Sequence, residues 1–173
     1  ADTKFDYKQM EQIRYGLKNM KENPNITVEK IKVFAKTCFQ GKQMEQLRLG
    51  FKNGLSIEQV EDYALEYYHF AKMAVIREAY EKGLTKEQVS YMRKYDEFKT
   101  TQMEEIMEGF LNGLSKEIVE LYAKPEFDAP QMQEIREGIE EGLELEDVKT
   151  YINPNYSAGT MAIMRYELEK KSD

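Results

Sequence analysis

The sequence has no tryptophan, and only one cysteine, one histidine and four prolines, in 173 residues. A lone Cys38 excludes an internal disulfide framework and fits a reducing compartment. It stands just before an aromatic, where packing is its expected role. A lone His69 has no second imidazole with which to build a metal site or a relay, and its place ahead of a helix start predicts a cap. No apolar run is long enough to cross a bilayer, so no membrane partner is expected. The chain also lacks a glycine-rich phosphate loop, paired metal-ligand spacing and a nucleophile motif with a base. The acids from Glu137 to Asp147 lack the alternating ligands and central glycine of a calcium loop, and are expected to form a solvated face. No catalytic, cofactor-binding or metal-binding residue follows, and an enzyme is not expected. The chain opens at Ala1 with neither an initiator methionine nor a signal-like stretch, which suits a processed protein or a region of a larger one. Asn25-Ile26-Thr27 and Asn155-Tyr156-Ser157 match the glycosylation triplet, but stand where turns and caps are needed.

What the sequence has is period. Phe39 to Ala64, FQGKQMEQLRLGFKNGLSIEQVEDYA, recurs in six versions whose methionines are Met10, Met44, Met73, Met103, Met132 and Met161, spaced by 34, 29, 30, 29 and 29 residues. With each methionine as offset zero, an aromatic stands five before it (Phe5, Phe39, Tyr68, Phe98, Phe127, Tyr156), and an apolar residue three after it. Offset four is Arg14, Arg48, Arg77, Met107, Arg136 or Arg165. A fixed period of this size marks a repeat array.

The aromatic and the methionine fit a hydrophobic staple at a helix start, clearest in Phe127-Asp128-Ala129-Pro130-Gln131-Met132, where Asp128 and Gln131 suit a capping box and Pro130 the first turn. Offsets zero, three and seven, as in Met44, Leu47 and Phe51, make one apolar stripe. The helix should stop near Asn53, with Gly54, Gly83, Gly113 and Gly142 in the left-handed position and the next leucine closing a Schellman motif. Ser56, Thr85 and Ser115 then cap a second short helix, with Gln59 and Gln88 completing boxes. Each copy is thus a pair of antiparallel helices of about ten residues, too short to be stable alone.

The copies differ in informative ways. The first carries the insertion Lys21-Glu22-Asn23-Pro24-Asn25, expected as a looser loop. Gly16, Gly50, Gly109 and Gly138, at offset six, lie inside a helix at a cost of about 1 kcal/mol each relative to alanine, which implies close approach of a neighbouring helix backbone. The sixth copy has Glu167 there and no second helix, as expected of an array that ends at that copy with Glu167 facing water, or of one that continues beyond this sequence. The third copy is entered through Tyr67-Tyr68-His69-Phe70.

Charge is uneven within a net of −7. Lys30 to Lys52 holds six bases and one acid; Glu126 to Lys149 holds nine acids and two bases.

Phe127 to Gly138, preceded by Tyr122-Ala123-Lys124-Pro125-Glu126, resembles a repeat of large, uncharacterised proteins of gut Gram-positive bacteria (Firmicutes), often associated with conjugative or other mobile elements. The resemblance covers most of the chain and is strongest in the second, fourth and fifth copies; Lys72-Met73 and Thr160-Met161 depart from it. It implies a cytoplasmic bacterial origin, beside DNA-processing domains, and no catalytic residue.

The expectation is an all-α helical-repeat solenoid over 1–173, with copies near 5–37, 38–66, 67–96, 97–125, 126–154 and 155–173. It serves as a non-enzymatic protein-interaction scaffold or adaptor. Recognition falls to residues that vary between copies, namely Tyr67, His69, Phe70, Tyr91, Tyr95 and the basic stretch, with a protein partner across the second and third copies. The arginine column Arg14, Arg48, Arg77, Arg136 and Arg165 has two readings. It forms ion pairs or carbonyl contacts with the next copy, for example with Glu61, Glu120 or Asp147, or it is a ladder that binds carboxylates or a phosphate backbone. The latter, with the basic stretch, makes nucleic acid the alternative partner. Weak head-to-tail self-association is a third possibility.

Overall fold

The computed structural model of the chain describes residues 4–172, and among these there are eleven helices and no strand. In chain order they are α1 (Tyr7–Glu22), α2 (Val28–Phe34), α3 (Gly41–Lys52), α4 (Ile57–Tyr63), α5 (Phe70–Glu81), α6 (Lys86–Met92), α7 (Thr100–Leu111), α8 (Lys116–Val119), α9 (Ala129–Glu140), α10 (Leu145–Tyr151) and α11 (Ala158–Ser172). The odd-numbered helices are the first helices of the six copies, and the even-numbered are the second. No helix among the described residues is long and apolar enough to cross a membrane.

The starts follow from side-chain chemistry. Asp6 accepts from the Gln9 N–H at 2.8 Å while Gln9 accepts from the Asp6 N–H at 2.7 Å, and Asp128 with Gln131 repeats the exchange. The stops follow as directly. Gly54 has φ +100°, a left-handed conformation open to glycine, and the Leu55 N–H reaches back to the Gly50 carbonyl at 2.9 Å. Ser56 and Gln59 then box the start of α4. The second helices are shorter than expected, seven residues each and four in α8. The insertion in the first copy does not make a looser loop. Its first two residues, Lys21 and Glu22, extend α1 to 16 residues, Asn23 caps the end with its N–H on the Asn19 carbonyl, and the turn comes only at Pro24.

The chain divides into two compact units, Ala1–Lys86 and Glu87–Asp173. In the first, α3 packs between α1 and α5, with α2 against α1, α3 and α4, and α4 against α3 and α5. In the second, α9 packs between α7 and α11, with α8 on α7 and α10 on α9 and α11. The methionines at offset zero from Met44 onward are fully buried, as are Leu47, Ile76, Ile106 and Ile135 at offset three, each contributing about 1.5–3 kcal/mol of burial. Offset seven touches the second helix of the copy before it. Phe51 meets Phe34 with ring centroids 6.5 Å apart, the Tyr80 hydroxyl donates to Asp62 at 2.7 Å, and Phe110 meets Tyr91 edge-on at 5.9 Å.

The glycines at offset six have a different reason from the one expected. No neighbouring backbone approaches them. A side chain from the second half of the same copy does: Tyr63 of α4 lies against Gly50, Tyr122, three residues past the end of α8, against Gly109, and Tyr151 of α10 against Gly138, each so close that a Cβ would collide with the hydroxyl. Phe34 fills the same role against Gly16, 2.6 Å from where a Cβ would stand. Gly41 is the one glycine whose Cβ would meet another helix's backbone, that of Lys8 in α1.

Candidate interaction surface

The arginine column points inward. Arg48 Nε donates to Gln12 Oε1 at 2.9 Å and Arg77 Nε to Gln46 Oε1 at 3.1 Å. Arg136 Nε reaches Glu105 at 3.1 Å and Arg165 Nε reaches Glu134 at 3.0 Å. In every case the acceptor is at offset two of the first helix of the preceding copy. Glu61, Glu120 and Asp147, expected as partners from the second helices, do not serve. Glu120 binds Lys94 at 3.1 Å. Arg48 Nη1 donates to Asn19 Oδ1 at 3.2 Å, whereas the other three guanidinium groups meet further carboxylates: Arg77 takes Glu81 at 2.7 Å, Arg136 takes Glu140, and Arg165 collects Glu137, Glu141 and Glu169 as well as Glu134. Arg14 is different. It is exposed, its guanidinium lies 5.5 Å from the Tyr15 ring, and no helix precedes α1 among the described residues.

Protonation follows these surroundings. Burial pulls Arg48 below its ordinary pKa, because its hydrogen-bond acceptors are neutral amides. Burial also acts on Arg136 and Arg165, but Glu140 and Glu105 around the first, and Glu134, Glu169 and Glu141 around the second, outweigh it and raise both. Burial lifts the Glu105 carboxyl, and Arg136 offsets only part of that. Of the acids from Glu137 to Asp147, read from sequence as a solvated face, Glu137 and Glu141 join Glu134 and Glu169 around the Arg165 guanidinium, while Glu144 and Glu146 are exposed as expected.

A second column went unread. The glutamine before the methionine does more than complete a capping box. Gln9 Nε2 donates to the Phe39 carbonyl at 2.6 Å and the Thr37 carbonyl at 3.3 Å; Gln43 donates to Glu66 and Tyr68; Gln131 donates to Pro154 and Tyr156; Gln102 donates to Phe127 at 2.6 Å. Each glutamine therefore ties its own helix start to the turn that opens the next copy, and these four are among the few buried polar side chains. The sequence signal was there: a glutamate would serve the capping box equally, yet all four are glutamine, because only an amide also donates. Lys72 replaces it in the third copy, with its ammonium 4.6 Å from the Tyr68 ring.

The copy-specific residues divide between the two compact units. In the first, Tyr67 is 75% exposed and packs edge-on against Tyr68 at 5.0 Å. His69 caps α5, its Nδ1 accepting from the Ala71 N–H at 3.3 Å, and its ring lies 4.2 Å from Phe70. Lys42 sits 4.4 Å from the Phe70 ring, so two lysines and four rings share this turn. In the second unit, Tyr91 is 7% exposed, a packing residue with Lys94 and Lys116 over its ring, and it does not supply surface. Its hydroxyl has no hydrogen-bond partner. Tyr95 packs edge-on against Phe98 at 5.2 Å. Cys38, expected to pack, is exposed.

Comparison with protein-family models, with curated proteins and with solved structures finds no match to this chain.

Proposed function

We propose that the chain is a helical-repeat solenoid acting as a non-enzymatic protein-interaction scaffold, a cytoplasmic region of a larger bacterial protein of the kind its repeat resembles. One observation carries the reading: most of the polar side chains that recur between copies are used up inside the fold. Arg48, Arg77, Arg136 and Arg165 reach the preceding copy, and Gln9, Gln43, Gln102 and Gln131 hold the next turn. Recognition then falls to what varies. The aromatic and basic turn of Tyr67, His69, Phe70, Lys42 and Lys72 is the best such surface, and it suits a protein partner presenting apolar and acidic groups. The inward arginines speak against a phosphate-binding ladder, which leaves the lysines of the basic stretch as the support for nucleic acid.

Affinity capture from a bacterial lysate with the intact chain, with and without nuclease, tests this. A protein partner recovered after nuclease treatment is the expected result. Recovery abolished by nuclease, with affinity falling steeply from low to physiological salt, would replace the reading with nucleic-acid binding.

A further inference from the structure

α1 keeps every template residue yet leaves its stripe uncovered. Met10 is 59% exposed and Leu17 45%, whereas the offset-zero methionines of all later copies are fully buried. Phe5, Met10, Ile13, Arg14 and Leu17 line an open hollow of about 710 Å³. In the second and third copies the preceding second helix meets offset seven, and in the second, third, fifth and sixth copies the offset-two glutamine or glutamate of the preceding first helix receives the arginine of this face.

We infer that the α1 face is a docking surface for a helix pair of this same repeat type, one that presents glutamine or glutamate at its own offset two. Two independent features select that occupant. The stripe has the spacing that internal copies bury, and Arg14 is exposed at the position where Arg48, Arg77, Arg136 and Arg165 each donate through Nε to such a residue at 2.9–3.1 Å. The exposed face of a second copy's α11 does not meet the requirement, because it carries Ile163 at offset two and gives Arg14 no acceptor. The inference stands on repeat register and does not depend on the partner surface at Tyr67.

The test extends the full chain by one copy. Residues 39–67 spliced ahead of Phe5 place a second Gln46 at offset two in a 29-residue register, and residues 127–155 do the same with a second Glu134. Peroxide oxidation of Met10, followed by mass spectrometry, reports whether the face is covered. Met10 is expected to oxidise at least about tenfold more slowly in the extended chains, because oxidation then waits on local opening. Leu17→Asp is expected to restore the fast rate in the extended chain while leaving the unextended chain's helix content unchanged. Met10 oxidising at its original rate in both extended chains would overturn the inference. So would a concentration-dependent dimer of the unextended chain that Leu17→Asp abolishes, since the occupant would then be a second copy.

Discussion

Gln131 makes three hydrogen bonds from one buried side chain, accepting from Asp128 and donating to Pro154 and Tyr156. Gln131→Ala should therefore cost about 2–3 kcal/mol by urea unfolding, because it strands two carbonyls and a helix-start N–H. Exposed Gln133→Ala should stay within about 0.5 kcal/mol. Gly109 offers a sharper test. Gly109→Ala drives a methyl into the Tyr122 hydroxyl and should cost about 1–3 kcal/mol, and Tyr122→Phe in the same chain should recover most of it. The sequence already carries that compensation, since the third copy has Ala79 at the glycine position and Met92, without a hydroxyl, at the tyrosine position. The same tyrosines set an alkaline limit. Burial holds Tyr63 and Tyr122 well above their ordinary pKa of 10.0. The unfolded chain then loses its protons first, so stability should fall as pH rises above 10, by up to about 1.4 kcal/mol per pH unit for each tyrosine. Tyr63→Phe with Tyr122→Phe should flatten that fall, measured by unfolding between pH 9 and 11. None of this pairing lies in a single-helix pattern. Periodicity shows which residues share a face, whereas the reach of Tyr122 to Gly109 depends on how the turn after α8 folds back onto α7.

Each helix pair is legible because its signals are local. Aspartate, serine and glutamine caps, left-handed glycines and the apolar stripe act within a few residues, and the starts of α3, α4 and α9 and the stops of α3 and α9 follow from them, whereas the early stop of α4 at Ala64 does not. The joint between pairs is less legible, as the arginines show. Their position beside the stripe placed them at a seam, but offset along one helix does not tell which neighbouring helix they face. Second-helix acids were expected, and offset two of the preceding first helix is what they reach. The repeated acceptors Gln12, Gln46, Glu105 and Glu134 were the available clue. Arg136→Ala should cost about 1–3 kcal/mol at neutral pH, because it leaves two carboxylates in a part-buried site without their cation. The penalty should shrink as pH falls. Glu105 already titrates above its ordinary value, and without Arg136 it would rise further and be neutralised by protonation. Unfolding of the variant at pH 7 and pH 4.5 checks the direction.

Across the whole chain, charge and aromatic residues are distributed less evenly than the repeat. The basic stretch and the exposed turn at Tyr67 belong to the first compact unit, while the acid-rich stretch in the second is partly drawn together by Arg165. Composition and period made the all-helical class readable. They left the partner surface as a set of candidates, because exposure depends on packing: Tyr67 proved open and Tyr91 buried, although both are copy-specific tyrosines. The central claim is that recurring polar residues fasten the fold and the copy-specific turn recognises a partner. Its most direct test is the dissociation constant of the captured partner for three chains: wild type, Tyr67→Ser with His69→Asn, and Arg48→Met. Asparagine keeps the α5 cap, so the double variant should retain its melting temperature and bind at least about tenfold more weakly, a loss typical of a recognition aromatic. Arg48→Met should lose stability and keep its affinity wherever it remains folded. Unchanged binding by the double variant, together with weakened binding by folded Arg48→Met, would contradict the account and make the arginine column the recognition site.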